Sequence, residues 1–261
     1  LPAADDLKLL IDAARVAGEL ALTFDGPVTR RWDKPDEAGP VTEADLAVNR
    51  RLEEDLRGAR PGYGWLSEES EDGPERLDAD RVFVIDPIDG TRSFIDGSGT
   101  WAHSIALVED GEVIAGVVYL PARGKLYAAA KGQGVTLNGS PVRASGHAKL
   151  QGAEVLATRP NMDAALWPGG VPDLKRSHRP SLAYRLALVA EGRFDGMLTF
   201  RDSWEWDIAA GALLVAEAGA RVSDGQGAPL RFNNARPKLP GLIAATDPIH
   251  AALLRARGVA A

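Results

Sequence analysis

The segment Arg81-Val82-Phe83-Val84-Ile85 runs straight into Asp86-Pro87-Ile88-Asp89-Gly90-Thr91. A short, unbroken apolar run reads as a strand buried on both faces, so any fold that accepts it must cover a sheet from two sides. Pro87 cannot donate to a central ladder, which predicts a hard stop at Asp86-Pro87. Gly90 permits a sharp turn and a close approach of the backbone to a ligand. Two carboxylates therefore stand three residues apart at the C-terminal end of a buried strand, able to face one point across the turn. Hard divalent cations take such oxygen ligands, and Mg²⁺ commonly takes one or two carboxylates together with a substrate phosphate. The Gly90 and Thr91 amides are placed to meet a phosphate oxygen, as turn N–H groups do in anion-binding nests. An Asx-type turn after a strand is the simpler alternative.

The rest of the chain supports a globular protein large enough to bury such a strand. At 261 residues it can remove roughly 70–75% of its unfolded surface from water. The net charge of −7 argues against electrostatic attachment to a nucleic-acid polymer or an anionic membrane, and the absence of cysteine excludes thiolate nucleophiles, Cys-ligated zinc and disulfides. The longest apolar stretch, Val113 to Leu120, is strand-sized and far short of a membrane span. Asp5, Asp6 and Lys8 speak against a signal peptide, and Leu rather than Met stands first, which leaves a trimmed start open. Cytoplasmic location is the expectation.

Helical periodicity is read over residues 5–24, where Leu7, Leu10, Ile11, Ala14, Ala17 and Leu20 share a face, and from Thr42 to about Arg57 through Val48, Leu52 and Leu56. Between them, residues 25–41 read as one long loop, a length more often functional than not. Ser104–Val108, Asp110-Gly111 and Val113–Leu120 form a hairpin, extended as an antiparallel meander by Lys125–Ala130 and Val135–Leu137. The texture then changes. Strands are expected at Ala153–Thr158, Gly196–Phe200, Ala220–Ser223 and Leu242–Ala245, with helices at Ser181–Glu191, Ile208–Ala218 and Pro248–Arg257, the last capped by Asp247. The fold class is thus α/β, with an α+β first half, a helix-covered antiparallel sheet over residues 1–140, and an α/β second half over 141–261 that completes the active site.

Further acidic residues sit at element ends. Glu68-Glu69 closes the short run Gly64-Trp65-Leu66-Ser67, although Glu71 and Asp72 continue the acidity as a solvated stretch would. Asp45 follows Thr42 by three, near to a capping box, and the helix dipole favours a carboxylate there. Asp207 precedes Ile208-Ala209-Ala210-Gly211, a helix apolar nearly all round and hence buried, for which it would serve as N-cap; a carboxylate at such a place needs a partner, and a cation is one. Arg185 lies at helical spacing from Leu182 and Val189 and faces inward, as a structural ion pair or a phosphate contact. The four histidines (His103, His147, His178, His250) lack zinc-hydrolase spacing, and neither a nucleophile elbow nor a Gly-x-x-x-x-Gly-Lys phosphate loop is present.

Each signal is modest alone, but their order is specific. Val41-Thr42-Glu43-Ala44-Asp45, Leu66-Ser67-Glu68-Glu69-Ser70, Asp86-Pro87-Ile88-Asp89-Gly90-Thr91 and Trp206-Asp207-Ile208-Ala209-Ala210-Gly211 together resemble the inositol monophosphatase family over essentially the whole chain. The resemblance implies a layered αβαβα sugar-phosphatase fold and a Mg²⁺-dependent, often lithium-sensitive phosphomonoesterase with two or three metals per subunit, Mn²⁺ being an alternative, and a homodimeric state. Carried over by position, Glu68, Asp86 and the Ile88 carbonyl would bind one metal, Asp86, Asp89 and Asp207 a second, and Glu68 would help with a weaker third. Asp45 and Thr91 would orient and deprotonate the attacking water, and the Gly90 and Thr91 amides would hold the phosphate. The segment Asp33-Lys34-Pro35-Asp36 matches a mobile loop that closes over the metals. Five carboxylates converging would repel strongly, about 4 kcal/mol per pair at ~4 Å and an effective dielectric of ~20, so cations make the set tenable. Paired metals roughly 3.5–4 Å apart can activate water and stabilise the leaving oxygen without a covalent phosphoenzyme.

Substrate signals diverge from the inositol-specific pattern. Arg92-Ser93-Phe94 stands where Thr-Asn-Phe is common, a basic residue similar to those of 3′(2′),5′-bisphosphate nucleotidases and histidinol-phosphate phosphatases, and Leu66-Ser67-Glu68-Glu69 also resembles the nucleotidases. Phe200, beside Arg201, occupies the place of an inositol-binding Glu seven residues before Asp207. Positive charge from Arg92, Arg185 or Arg201 suits a substrate with two phosphates. The expected substrate is 3′-phosphoadenosine 5′-phosphate, with inositol 1-phosphate and histidinol phosphate as alternatives. Two other readings carry different consequences. A haloacid dehalogenase-type phosphatase also uses Asp-Gly-Thr, but its Asp-x-Asp spacing is one residue shorter than Asp86-x-x-Asp89 and it forms an aspartyl-phosphate. A catalytically silent phosphate-binding regulator would keep the scaffold without turnover.

Overall fold

In a computed structural model, residues 2–34 and 39–259 are described. Their architecture follows from the strand just considered. β4 (Arg81–Asp89) lies beside β3 (Gly64–Ser67) in a seven-stranded sheet continued by β5 (Ala102–Glu109), β6 (Glu112–Leu120), β7 (Lys125–Ala130), β8 (Val135–Leu137) and β9 (Ser140–Val142), in that spatial order. Only the β3–β4 pair is parallel; every other neighbour is antiparallel. Alternation along β4 sends Phe83 and Ile85 to one face and Val82 and Val84 to the other. On the first face lie α1 (Pro2–Ala21) and α2 (Glu43–Ala59), which contribute Leu10, Ala14, Ala17, Val48, Leu52 and Leu56 to one core.

The opposite face is covered by α4 (Leu182–Ala190) and α5 (Glu205–Glu217), buried almost all round because a second sheet packs behind them. That sheet has the order β11-β10-β12-β16-β14, built from Lys175–Ser177, Glu154–Leu156, Gly196–Thr199, Leu242–Ala245 and Arg221–Ser223. Leu156, Met197, Leu242 and Ala244 face the helix pair, while Val155, Leu198, Ile243 and Ala245 face α6 (Asp247–Ala256) through Ile249 and Leu253. The layers therefore run helix, sheet, helix, sheet, helix, as the expected αβαβα arrangement requires. The helix pair in the middle layer packs closely at Gly211, where a Cβ would lie 2.6 Å from Leu186.

Several local expectations are corrected. Pro87 does not end its strand. β4 continues to Asp89, and the register shift between Asp86 and Asp89 falls at the proline, so its missing N–H lies in a bulge. The loop expected over residues 25–41 contains a small antiparallel pair, β1 (Arg31–Asp33) with β2 (Pro40–Thr42); Pro35 and Asp36 of the loop expected to close over the metals lie outside the described residues. Asp207 is not an N-cap. Helix α5 begins two residues earlier, at Glu205, after Trp204 as N-cap, and the Glu205 carboxylate accepts from the Asn233 and Asn234 amides. Likewise Thr246 rather than Asp247 precedes α6, and the Asp247 carboxylate goes to Arg221 at 3.0 Å. Strand β11 and the short pair β13 (Ser203–Trp204) with β15 (Lys238–Leu239) lacked any periodicity long enough to read.

Candidate active site

The carboxylates meet where the ends of these elements converge. Glu68 follows β3, with its amide donating to the Ile85 carbonyl at 3.2 Å, so it stands level with the bulge of β4. Asp86 lies at that bulge, and Asp207 enters from the first turn of α5, which Ser104 of β5 anchors by donating its hydroxyl to the Trp206 carbonyl at 2.7 Å. Carboxylate oxygens of Glu68, Asp86 and Asp207 all lie within 4.8 Å of one another.

Asp89 joins them from the end of β4. Its Oδ2 accepts from the Ser181 hydroxyl and the Ala183 amide, both at 2.7 Å, so the start of α4 fixes its orientation. Ser181 adopts a left-handed φ of 64°, a costly conformation for a residue with a Cβ, and its hydroxyl also accepts from the Tyr184 amide as N-cap of α4. Gly90, with φ 99°, turns the chain from β4 into the short helix α3 (Thr91–Ile95). Asp45 completes a capping box at the start of α2, its Oδ2 accepting from the Thr42 amide and hydroxyl. Its other oxygen accepts from the Thr91 hydroxyl at 3.2 Å, and that hydroxyl stands equally far from the Ile88 carbonyl. The cap and the site contact thus use different oxygens of one carboxylate.

Electrostatics set these groups apart from ordinary surface acids. Burial pushes the Asp86 carboxyl well above its usual range, and repulsion by Glu68, Asp89 and Asp207 adds to the shift. Asp207 is driven up in the same way, by burial first and then by Asp89 and Glu68. Burial raises Asp45 to about 6, against the opposing hydrogen bonds from Thr42. Asp89 also reaches about 6, because burial outweighs the donors Ser181 and Ala183. Burying like charges in this way is unfavourable without a cation. The donor set, hard carboxylate oxygens in a cleft that Ile88 also lines and with one ammonium in contact among the described residues, fits a divalent ion such as Mg²⁺.

That ammonium belongs to Lys34, at the edge of the β1–β2 pair. Its Nζ donates to Glu68 Oε1 at 2.7 Å and to Glu69 Oε1 at 2.5 Å. Burial works against the charge on Lys34, but attraction to Glu68 and Glu69 wins and its pKa rises. Glu69 itself is pushed up to about 7 by burial and by Glu68.

A cleft of about 410 Å³ spans the cluster, lined by Glu68, Asp86, Ile88, Asp89, Gly90, Thr91, Arg92, Arg185 and Asp207, with His178, Arg201 and Trp204 among the others. Of the residues expected to act in catalysis, metal binding or phosphate binding, Asp45 lies outside the cleft lining and reaches the site through Thr91. Phe200 is not part of the wall either, since its ring packs on Trp167 and under Arg257. The Arg185 guanidinium is buried, but among the described residues no carboxylate approaches within ion-pair distance, so the structural ion pair is not formed.

Sequence reasoning gave no role to Ser181, His178 or His103, and it named Lys34 and Glu69 without foreseeing their contact. The His103 Nδ1 contacts the Pro87 carbonyl at the bulge, and burial pulls its pKa down to about 4, so the neutral ring donates. A histidine inside an apolar strand next to the Asp-x-x-Asp turn was the one available signal.

Comparison with known proteins agrees with this geometry. Residues 4–258 match the family model described as the inositol monophosphatase family. An inositol-1-monophosphatase of Mesorhizobium japonicum is 33% identical, with 96% of this chain and 95% of that protein covered. A 3′-phosphoadenosine 5′-phosphate phosphatase of Mycobacterium leprae is 35% identical, with 91% and 88% covered. The solved structure of a Thermotoga maritima IMPase superimposes with a TM-score of 0.82 at 31% identity, with 97% of each chain covered.

Proposed function

The chain belongs to the inositol monophosphatase family and is a phosphoric monoester hydrolase, and from that premise we propose a Mg²⁺-dependent phosphatase for 3′-phosphoadenosine 5′-phosphate. The observation that carries the metal-dependent reading is the meeting of Glu68, Asp86 and Asp207 within 4.8 Å, three groups that share no element of structure.

In this reading Glu68, Asp86 and the Ile88 carbonyl hold one ion, and Asp86, Asp89 and Asp207 hold a second. Bound Mg²⁺ supplies positive charge for the phosphoryl and leaving oxygens and makes a water acidic enough to attack. The protein's own groups do the rest. The Thr91 hydroxyl, donating to Asp45, orients the water and passes its proton toward a carboxylate whose pKa of about 6 suits a base near neutral pH. Ser181 and Ala183 engage one oxygen of Asp89, which leaves the other as the one that would hold the ion. The Gly90 and Thr91 amides hold the phosphate, while Arg92, Arg185 and Asp207 contact the substrate. Mn²⁺ would serve in place of Mg²⁺, and a cytoplasmic homodimer is the proposed working form; no described helix is long and apolar enough to cross a membrane.

The nucleotide is favoured over inositol 1-phosphate because Phe200 is turned into packing with Trp167 while Arg201 lines the cleft. The test compares kcat/KM for 3′-phosphoadenosine 5′-phosphate, inositol 1-phosphate and histidinol phosphate, with Mg²⁺ and with EDTA. The expected result is EDTA-sensitive turnover and a preference of about tenfold or more for the nucleotide. EDTA-indifferent hydrolysis overturns the metal reading, and a smaller preference overturns the substrate. Covalent phosphate trapped in a burst phase would instead indicate the aspartyl-phosphate route.

A further inference from the structure

The bulge in β4 is held by a residue that stands outside the cleft lining. Between the pairs Asp86–Ser104 and Asp89–Ala102, two residues of β4, Pro87 and Ile88, face one residue of β5, His103. The imidazole turns back onto this bulge, with Nδ1 on the Pro87 carbonyl. A carbonyl only accepts, so Nδ1 carries the proton and Nε2 is a bare acceptor. Nε2 has no hydrogen-bond partner among the described residues, and the ring is fully buried beside Trp101 and Tyr119. An orphaned acceptor in such surroundings is costly, and an apolar side chain would pack there without it. Packing alone therefore does not account for a histidine at this place.

What the imidazole holds is one end of a peptide plane. The Pro87 carbonyl and the Ile88 N–H belong to the same planar trans unit and point to opposite sides of it. The Ile88 N–H donates to Asp86 Oδ1 at 3.0 Å. His103 grips the oxygen and the Asp86 carboxylate takes the hydrogen, so the plane is fixed at both ends. A donor on the carbonyl also polarises the unit and makes its N–H a stronger donor. The next carbonyl along, that of Ile88, accepts from the Thr91 hydroxyl at 3.2 Å. The bulge thus carries both the Asp86 carboxylate and the Ile88 carbonyl, the two groups of β4 assigned above to the first ion.

We propose that His103 is a positioning residue for the metal centre: by donating from Nδ1 to the Pro87 carbonyl it fixes the Pro87–Ile88 peptide plane, and through that plane the Asp86 carboxylate and the Ile88 carbonyl. The proposal rests on the metal-dependent reading of the site and adds to it a residue that itself touches neither ion nor substrate. Asp86 is assigned to both ions, so a loosened bulge weakens the hold on both. Partners that orient metal ligands in this way are typically worth about ten- to a hundredfold in metal affinity.

The test sets one amide donor at two positions. H103N places its side-chain NH₂ where Nδ1 stands, whereas H103Q carries it one bond further, toward the place of Nε2; both lose the ring and its packing. In calorimetric titration with Mg²⁺, without substrate, H103N should bind within about threefold of the unmodified protein, and H103Q at least about fivefold more weakly than H103N. A merely structural ring would weaken both variants alike, and a difference between them below about fivefold overturns the proposal while leaving the metal reading intact. Failure of the unmodified protein to bind Mg²⁺ overturns the metal reading and the proposal with it. Should H103Q not fold, the unmodified protein decides: long-range proton–nitrogen NMR spectra at about pH 7 should show the His103 imidazole, identified as the signal missing from H103N, with its proton on Nδ1. The pattern of an imidazole protonated on Nε2 alone overturns the proposal.

Discussion

Stripped of divalent ions by EDTA, the folded protein should lose stability as the pH rises from about 6.5 to 8. Burial and mutual repulsion hold Asp86 and Asp207 well above the value near 4 that the same groups have in the unfolded chain, so the folded state gives up these protons at higher pH. Where the folded state binds more protons than the unfolded one, raising the pH favours unfolding, and the contribution is fully present only below the unfolded pKa. Glu69, at about 7, acts in the same direction, whereas Asp45 and Asp89, at about 6, have mostly titrated before the window opens. The buried histidines His103 and His250, lowered to about 4, act the opposite way, since their unfolded counterparts are still half protonated near pH 6.5, so they offset part of the slope at the bottom of the window and none of it toward pH 8. One retained proton is worth about 1.4 kcal/mol per pH unit, hence about 2 kcal/mol across the window, or about 4–8 °C in Tm for a chain of this size. Thermal unfolding in EDTA at half-unit pH steps measures it directly. With saturating Mg²⁺ the carboxylates are ionised ligands, so the midpoint should rise and the slope should flatten. D207N should flatten the EDTA slope as well. A midpoint in EDTA independent of pH over this range, or the same slope with and without Mg²⁺, would refute the electrostatic account of the cluster.

Other outcomes follow from particular contacts. D89N or D207N should leave the protein folded by circular dichroism while turnover falls to below about a tenth of the original. T91V should lower kcat about a hundredfold with Mg²⁺ binding retained, because it removes the hydroxyl that faces Asp45 but no carboxylate; loss of Mg²⁺ binding by calorimetry would contradict this. K34Q should tighten Mg²⁺ binding about three- to tenfold by removing the ammonium that shares Glu68 with the ion, and weaker binding would show that Lys34 helps the ion instead. G211A should cost about 1–3 kcal/mol in urea unfolding, since its Cβ would meet Leu186 at 2.6 Å.

What the sequence made legible about this protein was local, and what it hid was set by pairings across long stretches of chain. The hydrophobic repeats of α1 and α2 and the meander β5–β7 could be read because periodicity within one element decides which face is buried. The acidic residues could be read because each stands next to a recognisable strand end or helix start. Pro87 misled for a physical reason: a proline forbids a ladder hydrogen bond but does not forbid extended backbone, and a bulge that skips the bond lets β4 carry on to Asp89. Had β4 stopped at Pro87, Asp89 would hang on a loop; within the strand it is rigid, and α4 meets it with Ser181 and Ala183 from more than ninety residues away. Asp207 misled similarly. As an N-cap its oxygens would be spent on helix amides, whereas in the first turn of α5 they are free to face Glu68 and Asp86. The first error ended a strand too soon and the second gave a carboxylate a self-sufficient local role, and in both the tertiary structure overrides the local signal. The same logic applies to Arg185, which lines the cleft with no carboxylate within 4 Å among the described residues. Polar groups denied their nearest partners, and held in place by distant ones, are the groups through which this fold meets its ligands.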